Sequence, residues 1–227
     1  MLTDYLRKTW NETCKELDIT WQYNEPIISI LDHNYSLPER AYHNWKHIEF
    51  CLKKWNGLKE WTDNVPRVGG KLILPLGNMA YFFHDFIYNF EKPIQNKRDS
   101  ALLSDNLLAW AGMDKNNVDT VNYLIGLTDP QKSCNRFTTF YHSESQKKFR
   151  DIDYLSLAGE WRCVQKSEKG IRQENNFMSN EEYKEKRIAF LNRLIAGKVF
   201  LSKDFISKYE AKAKENTNKL ITMVENY

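Results

Sequence analysis

Three short stretches of this chain hold side chains that could do chemistry and that packing alone would not call for. His84 is followed directly by Asp85 inside the most apolar run of the sequence, KLILPLGNMAYFFHDFIY, with Phe82, Phe83, Phe86 and Ile87 around them. A carboxylate in such surroundings costs several kcal/mol of desolvation unless something compensates it. A His–Asp pair closing a helix end against solvent is one explanation, and a pair of metal ligands is the other. His43 and His47 stand four residues apart where the apolar spacing is helical, so both imidazoles are expected on one helix face. Two such histidines can share a metal, or one can ligate while the other handles protons. The third stretch is FRDIDYLSLAGEW, in which Asp151 and Asp153 open an apolar run. One of the two is expected to cap a helix, which leaves the other free to serve as a ligand.

His47, His84, Asp85 and Asp153 together make a set of two imidazoles and two carboxylates. Mixed N/O ligation suits Mn²⁺, Fe²⁺, Co²⁺, Ni²⁺ or Mg²⁺ better than a structural zinc site, which would want thiolates. Four protein ligands leave room for water in an octahedral shell. A metal-bound water becomes a usable hydroxide near neutral pH, and the metal also polarises a phosphoryl oxygen. A phosphorylated substrate needs further donors, and arginine is favoured for its bidentate geometry. Arg40, Lys46, Lys97 and Arg172 are the cationic candidates, with Asn96 and Ser100 as a hydrogen-bonding pair near the metal. The aromatic stripe Tyr81, Phe82, Phe83, Phe86 and Tyr88 is expected to be mostly core, with base stacking the lesser role.

The elements that must hold these groups read as helices. Glycine and proline number only nine and six in 227 residues, which disfavours a turn-rich β protein. Helical spacing predicts helices over 4–17, 21–31 (interrupted by Pro26, a residue more natural in a first turn), about 42–55, a buried one opening near Pro75, then 99–111, 116–127, 151–161, 181–194 and 205–224. The polar stretches 56–70 and 129–146 read as a loop and an irregular crossing. One all-α domain over 1–227 is expected, with a metal-site core at about 35–160 and C-terminal helices over 161–227 packing on it.

Bulk properties exclude several classes. A net charge of +3 does not argue for a polynucleotide binder, because no run of Lys and Arg is free of acidic neighbours. The cysteines Cys14, Cys51, Cys134 and Cys163 include no CxxC pair, so neither a zinc ribbon nor a thioredoxin-like site is expected. The start lacks the apolar region of a signal peptide, and no window approaches the ~18 apolar residues of a membrane span. A reduced, cytoplasmic protein without a membrane partner is expected; a homo-oligomer stays open.

Taken in order, RAYHNWKHI, FFHDFIYN, NKRDS and DIDYLSLAG resemble the HD superfamily of metal-dependent phosphohydrolases, closest to its small bacterial and phage members. The resemblance runs from about Tyr35 to beyond Arg193 and implies a single helical bundle with a divalent ion between its helices. It implies hydrolysis of a phosphoester or phosphoanhydride, on a small phosphorylated substrate of nucleotide type. YHNWKHI is also similar to a motif of cyclic-nucleotide phosphodiesterases, which would make His43 the proton donor and His47 the ligand; a rival alignment makes His43 the ligand. His84 and Asp85 match the pair that names the superfamily, with Asp85 also essential to catalysis. Asp153 matches its last aspartate, with Asp151 the fallback. Arg172 and Glu174 match an IRxE segment expected to line the pocket. Two departures stand out: Lys97 replaces an expected acidic residue, and no histidine closely follows Thr128. Two rival functions on the same scaffold are a non-catalytic nucleotide-binding protein and a di-iron oxygenase.

Overall fold

The computed structural model describes residues 1–58, 73–89, 95–129 and 143–227. The described residues form ten α-helices and no strand, a compact helical bundle. Helix α1 (Asp4–Glu16) is capped by the Thr3 hydroxyl, and α2 (Trp21–Tyr35) follows it. Helix α3 (Trp45–Asn56) carries His47, and α4 (Ile73–Phe83) ends just before His84 and Asp85. Helices α5 (Asn96–Trp110), α6 (Lys115–Leu127) and α7 (Glu144–Tyr154) come next. A 3₁₀ turn (Leu155–Ala158) then leads to α8 (Trp161–Glu174), α9 (Asn180–Ala196) and α10 (Lys203–Glu225). No described helix is long and apolar enough to cross a membrane.

Apolar residues surround α4, and that places it at the centre. Ten of its eleven residues are buried, and it packs against α1, α3 and α6. Aromatic rings lock these contacts: Tyr81 stacks on Phe149 of α7 at 4.1 Å between centroids, and Trp10 of α1 meets Phe82 edge-on at 5.0 Å. A second, smaller apolar cluster (Val164, Met178, Tyr183, Leu191, Leu220 and Val224) joins α8, α9 and α10. Helix α10 also packs on the 3₁₀ turn, which ties this cluster to the end of α7.

Several helices differ from expectation in informative ways. Helix α2 runs on to Tyr35 with Pro26 inside it. Helix α3 starts at Trp45, later than the apolar spacing implied, because the Asn44 side chain accepts from the Lys46 backbone N–H and ends the extended segment before it. Helix α8 was not foreseen; Glu168, Gly170 and Glu174 are buried beside the apolar side made by Trp161, Val164 and Ile171. The expected loop at 56–70 lies mostly outside the described residues, as does most of the expected crossing at 129–146.

Candidate metal centre

Three helices bring four donor side chains to one point. His47 comes from the first turn of α3, His84 and Asp85 from the turn that closes α4, and Asp153 from the last turn of α7. His47 Nε2 lies 3.2 Å from His84 Nε2, 3.3 Å from Asp85 Oδ2 and 3.1 Å from Asp153 Oδ1. His84 Nε2 lies 2.9 Å from Asp85 Oδ2 and 3.5 Å from Asp153 Oδ1. Donors held ~2.1 Å from one ion stand ~3.0 Å apart at right angles and ~3.4 Å apart at the tetrahedral angle. The observed separations fall on that scale.

The chemistry of the donors fits an ion as well as their spacing does. His84 Nδ1 lies 2.9 Å from the Tyr81 carbonyl oxygen, which can only accept, so Nδ1 carries a proton and Nε2 points into the cluster. Asp85 Oδ2 is buried with no hydrogen-bond partner, although it touches both imidazoles; its contact with His84 is close but not aligned for a hydrogen bond. Burial opposes ionisation of Asp85, but His84, Lys97 and His43 hold it well below the usual carboxylate range. Burial opposes ionisation of Asp153 too, and Lys97 with the two imidazoles draws it well below that range. Burial disfavours protonated His47, yet the polar side chains around it, Cys51, Tyr42, Asp153 and Asp85, raise it well above 6.5. His84 is raised in the same sense, chiefly by Asp85 against its burial.

Cys51, one helical turn beyond His47, also reaches the cluster. Its Sγ is 3.9 Å from His47 Nε2, and His47, Cys51, His84 and Asp153 form a group that could hold a metal ion. Burial raises the thiol above its ordinary value, so Cys51 is a neutral neighbour where Asp85 is an ionised donor. The His47-to-Cys51 spacing of four is visible in the sequence, but a lone cysteine one turn from a histidine does not by itself mark a metal site.

His43 belongs to a second assembly. It lies before the Asn44 cap, so it does not share a helix face with His47, contrary to the helical reading of that segment. Its Nδ1 lies 2.7 Å from Glu174 Oε2, while Glu174 Oε1 accepts from the backbone N–H groups of Tyr42 and His43, both at 2.8 Å. Burial works against the ionised Glu174, but His43 and these hydrogen bonds lower it. The imidazole stacks on Tyr88 at 4.2 Å. Gly170 makes the approach of α8 feasible: a Cβ there would sit 3.2 Å from the Ala41 carbonyl oxygen.

A cavity of about 320 Å³ touches both assemblies, with His43, Asp85, Lys97 and Asp153 on its wall. Lys97 Nζ lies 2.7 Å from Asp85 Oδ1, so the two oxygens of Asp85 face different partners. Of the other expected substrate contacts, Arg40 is buried and donates to the carbonyls of His43, Asp85 and Phe86 at 3.2, 2.7 and 2.6 Å, tying the His43 segment to the Asp85 turn. It is a positioning residue, not a cavity group. Asn96 pairs with both the N–H and the C=O of Asn89, and the Ser100 hydroxyl accepts from the Ile87 N–H, so both brace the chain after Asp85. Lys46 is exposed and lines a different cavity of about 620 Å³, on the other side of Tyr42. Arg172 is also corrected: its guanidinium donates to the Asn175 and Met178 carbonyls and to Asn180, closing the end of α8. Asp151 turns away from the cluster and accepts from the N–H groups of Leu201 and Ser202 at the start of α10, which leaves Asp153 as the candidate ligand of that pair. Comparison with known family models, curated proteins and solved structures gave no match.

Proposed function

We propose that this chain is a metal-dependent phosphohydrolase of the HD type, cleaving a phosphoester or phosphoanhydride bond in a small, nucleotide-like substrate. One observation carries the reading: His43, held by Glu174, and Asp85 and Asp153 of the His47–His84–Asp85–Asp153 cluster line one cavity. A divalent ion in the cluster supplies an acidified water and Lewis-acid polarisation of a phosphoryl oxygen. Lys97 offers its ammonium to the same phosphoryl group while it neutralises Asp85 Oδ1. Because that oxygen already faces a cation, the arrangement supports one ion in place of an ion pair, and with it hydrolysis over a di-iron oxygenase. Cys51 stands within reach of the site, and its thiol, if an ion displaced its proton, would add a soft donor that favours a transition metal over Mg²⁺.

His43 is placed to move a proton. Glu174 fixes its Nδ1 side, which leaves Nε2 to protonate the departing oxygen, and Tyr88 limits rotation of the ring. Metal analysis of wild-type and Asp85→Ala protein, followed by incubation with a pooled panel of nucleotides, tests the reading. Wild type is expected to hold about one transition metal per chain and release phosphate or nucleoside, and the variant to do neither. Turnover by metal-free Asp85→Ala protein would sink the mechanism. Tight binding of a nucleotide without product, even with added Mn²⁺, would instead support the non-catalytic binding protein.

A further inference from the structure

The cavity has a second cationic wall that the metal cluster does not use. Arg187 on α9 and Glu168 on α8 both line it. Glu168 has no exposed side chain; its Oε1 accepts from the Tyr183 hydroxyl at 2.6 Å, and its Oε2 accepts from Arg187 Nε at 3.0 Å and Nη2 at 2.6 Å. A guanidinium has five N–H donors. The Glu168 carboxylate holds the Nε–Nη2 edge, and Nη1 has no acceptor among the described residues. The side chain keeps 15% of its exposure, while a ring contact to Phe190 at 5.2 Å holds it in place. Arg187 lines the cavity together with Tyr42 and Tyr88, the two tyrosines in ring contact with His43. Arg187 therefore shares the cavity wall with His43, the group that would protonate the leaving oxygen.

A pair serving only to join α8 to α9 would have no need of the cavity. Here a buried carboxylate orients the guanidinium and leaves a donor edge over open space. Such a fixed arginine suits a phosphate or carboxylate oxygen, since little side-chain freedom is lost on binding.

We propose that Arg187, held by Glu168, is an anion-binding residue of this cavity, and that the substrate carries a second acidic group, a phosphate above all, beyond the bond that is cleaved. The inference rests on the phosphohydrolase reading for which group is cleaved, but the anion site itself does not depend on turnover. Calorimetric binding of inorganic phosphate, pyrophosphate and tripolyphosphate at constant ionic strength tests it, on metal-loaded wild-type, Asp85→Ala, Arg187→Gln and Glu168→Gln/Arg187→Gln proteins. At least one of the longer anions is expected to bind wild type tenfold or more tightly than phosphate. That preference should fall to within about twofold in Arg187→Gln, with phosphate affinity unchanged. The single variant leaves a buried carboxylate unpaired and can fail to fold; the double variant replaces the ion pair with two amides and provides the same readout. No preference in wild type, or a preference kept by a folded variant, overturns the proposal. Failure of the phosphohydrolase reading looks different: Asp85→Ala would keep its metal and its phosphate affinity while the Arg187 variants still lost the preference.

Discussion

Glu174 commits one oxygen to two backbone N–H groups and the other to an imidazole, so it fixes both the path of the chain at Tyr42–His43 and the direction of the His43 ring. If His43 moves protons and does not ligate, His43→Ala should lose ~10²–10⁴-fold in kcat while metal content stays at the wild-type value. Glu174→Gln keeps the shape and removes the charge; it should lower kcat roughly 10–100-fold with little change in KM, the range typical of groups that orient a functional histidine. Steady-state kinetics beside metal analysis decides both, and loss of metal from His43→Ala would make His43 a ligand instead. At this scale the types of the site residues were legible, but their directions were not. His84, Asp85 and Asp153 announce themselves as polar groups in apolar runs. Nothing local distinguishes Asp151, which accepts N–H bonds about fifty residues along the chain, from Asp153, which meets the imidazoles. Arg40 and Arg172 are the same lesson: an arginine beside a motif can equally well satisfy backbone carbonyls.

The helices act as the ruler that sets the donor spacing, and the α3–α4 contact sets most of it, because α3 carries His47 and α4 ends at His84. Trp55 is the chief link in that contact. It is fully buried, donates from Nε1 to the Leu74 carbonyl at 3.0 Å, and lies so near Gly77 that a Cβ there would stand 2.4 Å from the indole. Gly77→Ala must therefore push α3 and α4 apart. Overpacking of this kind costs about 1–3 kcal/mol, so the melting temperature should fall. The same displacement should weaken metal binding, while a surface control such as Lys8→Ala changes neither. Calorimetry of the melt and of metal titration checks both effects, and an unaltered metal affinity in a destabilised Gly77→Ala protein would show that this contact does not set the donor spacing. Most helices were legible because their apolar faces repeat at helical spacing. The exceptions have a physical cause. Helix α8 buries Glu168 and Glu174 along its length, so charged groups are interleaved with its apolar residues Trp161, Val164 and Ile171 and mask the pattern. Helix α3 starts late because one side-chain cap outweighs the apolar periodicity running through it.

In the whole molecule, the cluster is a charged assembly buried between the main apolar core and the α8–α10 cluster, so its protonation is coupled to folding. Asp85 and Asp153 are held below 3.8 in the folded chain; the stability they contribute is present above that value and lost as pH falls through their lowered range. His47 and His84 are held above 6.5; their contribution is complete below 6.5 and lost as pH rises through the raised range. The metal-free protein should accordingly draw the most stability from this cluster between about pH 4 and 6.5 and should weaken on the alkaline side. A bound ion reverses the alkaline trend. It takes the place of the imidazole protons, so its affinity grows as those protons become easier to remove, and its stabilisation follows RT ln(1 + [M]/Kd). The expected outcome is a gap in melting temperature between loaded and metal-free protein that widens steadily from pH 6 to pH 8.5. Binding at neutral pH should release about one proton or more per ion, measured as a dependence of calorimetric heat on the buffer's ionisation enthalpy. A gap that is constant with pH, with no proton release, would mean that the ion binds away from His47 and His84, because an ion on imidazole nitrogens competes with protons for the same lone pairs.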